Sequence, residues 1–104
     1  MTIARRQAMY AVSYEVPGNE AIYNRVKSML GDEPEGLVVH LVDKTAGGLR
    51  HLAVWQSKGA WETYRDGTVR PVVKNLLAEM GIPEPPPPAE ETLELVDVYS
   101  RQTT

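Results

Sequence analysis

No cysteine occurs in the 104 residues. Disulfides, thiol nucleophiles and thiolate metal sites are therefore excluded, and the absence fits a reducing, cytoplasmic setting. Basic residues are in the minority. Eleven Lys and Arg against fourteen Asp and Glu give a net charge of −3, and no basic patch interleaves with aromatics, so nucleic acid is not expected as a partner. No apolar run approaches membrane-spanning length, so no membrane partner is expected either. Arg5 and Arg6 precede an apolar stretch that Gln7, Ser13 and Glu15 interrupt, which does not read as a signal peptide. Neither a Ser-His-Asp set nor a phosphate-binding loop is visible. Histidine and tryptophan occur only twice each, so their placement carries information.

What is present is ordinary for a soluble globular chain: 42% hydrophobic and 24% charged residues. The length predicts one domain over residues 1–104, able to bury roughly 60–70% of its unfolded surface. Residues 1–7 read as a loose tail. Residues 8–16 alternate as a strand, with Tyr10, Val12, Tyr14 and Val16 on one face. Pro17-Gly18 ends it. Asn19 is a helix N-cap with Glu20 in the first turn, and Ile22, Val26, Met29 and Leu30 form the apolar stripe up to a stop at Gly31. Ser57 caps a second, short helix carrying Ala60, Trp61 and Tyr64, which Asp66-Gly67 closes. Thr68 is expected to cap a third helix with Pro71 in its first turn and an apolar stripe of Val69, Val72, Val73, Leu76, Leu77 and Met80. Gly81 stops it, with Ile82 folding back. Five of the eight prolines lie between Pro83 and Pro88, and residues 83–91 read as an extended connection to the last strand, predicted over 92–100. Glu84 and the lack of basic flanks favour a spacer over a proline-motif ligand.

Both histidines fall within residues 36–57, where two β-rich runs flank Gly47-Gly48 and predict a hairpin. A two- or four-residue loop pairs even positions with odd ones, and cross-strand partners share a face. One face then carries Leu37, Val39, Leu41, Leu52 and Val54, read as buried aliphatic core. The other carries Val38, His40, Val42, His51, Ala53 and Trp55. This second face mixes apolar groups with two imidazoles and an indole, as a pocket wall would; the alternative is a hydrogen-bonded core histidine beside a solvated one. His40, mid-strand between Val38 and Val42, is expected to be partly buried. His51, nearer the turn, is expected to be the wetter of the two.

The element order predicts an α+β, ferredoxin-like βαββαβ fold: a four-stranded antiparallel sheet with helices on one face. The strands are apolar on both faces, and one short chain cannot cover the second. A second copy of the same sheet would cover it, so a homodimer is expected.

The run from Val54 to Tyr64, VWQSKGAWETY, resembles the strand-end tryptophan, serine cap and aromatic-bearing helix of the antibiotic-biosynthesis-monooxygenase-like group. That group belongs to the dimeric α/β-barrel superfamily. Gly36-Leu37 and Pro71 fit as well, and the resemblance spans most of residues 9–99. It implies a dimeric α/β barrel with ligands held between sheet and helices. It also implies possible chemistries, among them cofactor-independent oxygenation of phenols or quinols and haem degradation. A phenol oxygenase needs a base, for which His40 and His51 are the candidates, and aromatic walls, for which Trp55, Trp61 and Tyr64 serve. Tyr10 and Tyr14 would be further substrate-binding groups. The haem branch fits poorly: the positions matching its tryptophan and histidine are Tyr64 and Lys74, and the third helix has no histidine. No carboxylate shares the face of the imidazoles, so neither a metal nor another cofactor is expected. The competing reading is a non-catalytic dimer that binds a small aromatic ligand or acts as an accessory protein.

Overall fold

Alternation of Tyr10, Val12 and Tyr14 with Ala11, Ser13 and Glu15 gives the first strand one aromatic and one small or polar face, and the whole sheet inherits that division. The computed structural model describes residues 9–99. Its elements are β1 (Tyr10–Val16), α1 (Glu20–Leu30), β2 (Leu37–Thr45), β3 (Gly48–Trp55), α2 (Lys58–Tyr64), α3 (Arg70–Glu79) and β4 (Glu91–Leu93). The strands form one sheet in the order β2-β3-β1-β4, with every neighbouring pair antiparallel. This is the ferredoxin-like arrangement the element order predicts. The tail expected over residues 1–7 lies outside the described residues.

Thr45 pairs with Gly48 across the two-residue Ala46-Gly47 loop, and His40 pairs with Ala53 and Val42 with His51. The even-to-odd register therefore holds over most of the hairpin. A bulge between Leu37 and Val39 breaks it at the far end, where Leu37 faces Trp55. One extra residue reverses the side-chain alternation, so Leu37 joins Trp55 on the helix side, contrary to the unbroken alternation. Its side chain packs against the cluster of Val12, Ala53, Trp55 and Trp61. Two glycines make the hairpin possible. At Gly48, with φ near +149°, a Cβ would sit 2.1 Å from the Val16 carbonyl oxygen. At Gly36 a Cβ would meet that of Ala60 at 2.9 Å, so β2 can begin directly against the start of α2.

The helix ends follow local chemistry. Asn19 Oδ1 accepts from Ile22 N at 2.9 Å and Ser57 Oγ accepts from Ala60 N at 3.0 Å. After α3, Ile82 N donates to Leu77 O at 2.9 Å across Gly81, whose φ is +70°, closing a left-handed C-cap as expected. The break expected at Asp66-Gly67 does not occur. A π-helical stretch, Arg65–Val69, carries α2 straight into α3, and Thr68 caps nothing. Asp66 bridges the join, with Arg65 at 2.8 Å and Arg70 at 3.1 Å, so ion pairing holds the extra residue of the wide turn.

Two further expectations are corrected. The last strand covers only Glu91–Leu93, pairing with Ala11, Val12 and Ser13. Continued in that register, Leu95 would lie opposite Met9, where β1 has not yet begun, so the β-type sequence runs on past the end of its partner. Leu41 is 61% exposed rather than buried, because the helices cover the imidazole face and leave the aliphatic face open. On that open face Arg50 donates to Asp43 through Nε at 3.0 Å and Nη2 at 2.6 Å. An exposed pair of this kind adds little, so Arg50→Ala is expected to leave the denaturation midpoint essentially unchanged.

Candidate functional site

The register of β1 on β3 places Tyr14 opposite His51, Val12 opposite Ala53 and Tyr10 opposite Trp55. All of these, with His40, project to the side the helices cover. α1 crosses over β2 and β3 and brings Tyr23 edge-on to His51, with ring centroids 5.7 Å apart at 64°. α2 brings Trp61 onto Tyr14 at 5.5 Å and onto Trp55 at 5.5 Å. Tyr64 reaches Trp55 at 5.6 Å. The sheet and helices thus gather His40, His51, Tyr14, Trp55, Trp61 and Tyr64 into one row of touching rings. Tyr10 stands at its edge, with its hydroxyl 3.2 Å from Thr92 Oγ1, and packs on the core without meeting the imidazoles.

The imidazoles form a pair. His40 Nε2 lies 3.0 Å from His51 Nδ1, so one ring donates and the other accepts, and the rings are 18° from parallel. Tyr14 stacks on the face of His51 at 4.8 Å and 6°. The expected order of wetness is reversed: His51 is only 8% exposed, while His40 is exposed. β2 is the edge strand and β3 is interior, and that difference outweighs distance from the turn.

Burial drives His51 down from 6.5 to about 4, with neighbouring His40 adding to the effect. His40 is also lowered, by desolvation where its ring meets the pair and then by the Lys27 ammonium. Both are therefore neutral at physiological pH. Tyr14 is pushed well above the usual phenol range, first by burial and then by the Glu90 carboxylate. Tyr64 is raised by burial.

Two contributors escaped sequence reading. Tyr23 had a signal, since it shares the i, i+3, i+7 stripe with Val26 and Leu30. Glu90 had none. It lies in the proline-rich connection and turns back to accept from Trp61 Nε1 at 3.1 Å and from Arg65 Nη1 at 3.1 and 3.2 Å. An open cleft of about 330 Å³ runs between α1 and the turn end of the hairpin; Tyr23 and Val42, neighbours of His51, line it, and neither imidazole does. Val42, Leu49 and Tyr23 give it apolar walls, and Glu20 and Lys44, ion-paired at 2.8 Å, close one side. Among the described residues no group of three or more His, Asp or Glu could hold a metal, and no helix is long and apolar enough to cross a membrane.

Comparison with solved structures finds the same fold. The structure of Rv0793 from Mycobacterium tuberculosis superposes with a TM-score of 0.55 at 21% identity, over 88% of this chain and 98% of that one. The chain has the fold of Rv0793. A Deinococcus radiodurans protein, provisionally assigned as an antibiotic biosynthesis monooxygenase, covers 91% of this chain and 98% of its own at 13% identity. Its TM-score is 0.43. No family model and no curated protein matches the sequence. The shared fold with Rv0793 agrees with the βαββαβ expectation.

Proposed function

We propose that the chain is a single-domain subunit of a homodimeric α/β barrel that binds a small phenolic or quinolic aromatic and ionises it with the His40–His51 pair, as a cofactor-independent monooxygenase would. The observation that carries this reading is the 3.0 Å contact between an exposed imidazole and a buried one. His51 resists protonation, so it serves His40 as a neutral acceptor. With the shared proton on His40 Nε2, His40 Nδ1 is a free base that can take a phenol proton, and the resulting imidazolium keeps its hydrogen bond to His51. The cleft, walled by Tyr23, Val42 and Leu49 among Glu20, Asn24, Asp43 and Lys44, gives an open space of ligand size next to Tyr23, the neighbour of His51. The phenolate so formed would be the electron donor to dioxygen.

The reading predicts that a bound phenol shows the ultraviolet absorbance of its phenolate, its proton having passed to His40, and that His40→Ala abolishes that band while the circular dichroism stays native. A phenolate band unchanged in the variant contradicts it. A second reading, a non-catalytic ligand-binding dimer, is favoured by one observation: Tyr14, Trp55 and Trp61 fill the space beneath the imidazole face with one another.

The dimer is supported by the open side of the sheet. Leu41, Val39 and Leu93 are exposed there, and Val96 and Tyr99 beyond β4 are each 92% exposed. A stable pairing would bury more than about 1,200 Å². Leu41→Asp is expected to convert a dimer to a monomer in sedimentation while the subunit stays folded, since the single chain leaves Leu41 in water. A natural-sequence protein that sediments as a monomer at micromolar concentration contradicts the pairing.

A further inference from the structure

The row of rings contains more redox-active groups than a base and a binding wall require. Tyr64, Trp55, Trp61 and Tyr14 follow one another with centroid separations of 5.6, 5.5 and 5.5 Å. Electron tunnelling falls off exponentially with distance, and rings in contact exchange electrons far faster than rings one residue layer apart. Tyr64, partly exposed, is one mouth of the row; Trp55 and Trp61 are buried.

The two tryptophans differ in what surrounds the indole N–H. Trp55 Nε1 is buried and has no hydrogen-bond partner among the described residues. Trp61 Nε1 donates to Glu90 Oε1 at 3.1 Å. An indole that loses an electron becomes a strong acid at nitrogen. At Trp55 the proton has nowhere to go, so the hole must move on. At Trp61 a carboxylate waits on the N–H. The Arg65 guanidinium, 5.8 Å from the Trp61 ring centroid, makes a cationic ring there unfavourable and drives the proton off.

We infer that Tyr64, Trp55 and Trp61 form a hole-transfer relay that ends on Trp61, where an oxidising equivalent is stored as a neutral indolyl radical hydrogen-bonded to Glu90. The partner is an outer-sphere one-electron oxidant, such as an organic radical, meeting the Tyr64 end. In the step, the oxidant gains one electron, which Trp61 gives up by way of Trp55 and Tyr64. The Trp61 Nε1–H bond breaks and the proton passes to Glu90 Oε1. No bond between heavy atoms changes. Tyr14 does not compete as the resting place, because burial beside the Glu90 charge makes its phenol hold its proton. The relay does not depend on the phenol reading, since it needs neither imidazole.

The test is flash oxidation by tris(bipyridine)ruthenium(III), followed by transient absorption, which separates neutral from cationic indolyl radicals. The natural sequence is expected to accumulate a long-lived neutral radical. Trp61→Phe should shorten its lifetime by at least an order of magnitude. Trp55→Phe should keep the same radical but slow its appearance by a similar factor. Glu90→Gln retains an oxygen acceptor for the indole N–H yet takes no proton, so the signal should become that of the cation and decay faster. This variant keeps the proposal testable if Trp61→Phe does not fold. A neutral radical that survives Trp61→Phe, one unchanged by Glu90→Gln, or no indolyl signal in the natural sequence overturns it.

Discussion

Trp61→Ala is expected to lower folding stability by about 3–5 kcal/mol. The indole is buried at 4% exposure and belongs to the central cluster with Val12, Ala53 and Trp55. It touches Trp55 and Tyr14 by its faces, and its N–H holds Glu90, which in turn holds Arg65. Removing it leaves a cavity between sheet and α2 and strips the Glu90 carboxylate of one donor. Nothing nearby can collapse into the space, since Tyr14 is fixed on His51 and Trp55 is part of the sheet. Urea denaturation with an unchanged slope should show the shift in midpoint. A loss below about 1 kcal/mol would mean that α2 is only loosely docked, against the packing described.

Acidification is expected to destabilise the fold between pH 6.5 and about 4, the window set by the depressed His51. Above 6.5 the imidazole is neutral whether the chain is folded or not. As pH falls through 6.5 the unfolded chain takes up a proton that the folded chain refuses, so stability declines with each step. Below about 4 the folded state protonates too and the decline from this group ends. Full desolvation would put the loss near 3 kcal/mol. Solvent reaching the pair through His40 screens part of it, which leaves roughly 2 kcal/mol. His51→Gln, which carries no titrating group, should flatten this part of the curve. A midpoint in denaturant that stays constant from pH 7 to pH 4.5 would show that His51 is not held neutral.

Much of this fold was legible because its signals are local. Asn19, Ser57 and Gly81 mark helix ends by their own hydrogen-bonding and backbone chemistry, and the odd index sum that a two- or four-residue loop gives the hairpin puts both imidazoles and Trp55 on one face. The failures are tertiary. The bulge that turns Leu37 inward leaves no mark in an alternating apolar run. The Asp66-Gly67 pair looks like a helix stop until Arg65 and Arg70 are seen to bridge it. The exposure of the histidines was inverted because sequence distance from a turn says nothing about which strand lies at the sheet edge. Leu41 reads as core because its face is apolar, yet within one chain it stands in water. Glu90 could not be found at all, since its role depends on a proline-rich connection returning to α2.

The imidazole pair is the centre of the functional account, and it can be watched directly by nitrogen-15 NMR of the two histidine rings during titration with phenol. The account predicts that His40 is protonated at Nε2 in the free protein, and that on phenol binding His40 moves toward imidazolium while His51 stays neutral. The ring signals of Tyr23 should shift in parallel. Phenol that shifts only residues of the open sheet face, or that leaves both imidazoles unchanged at saturation, would contradict it.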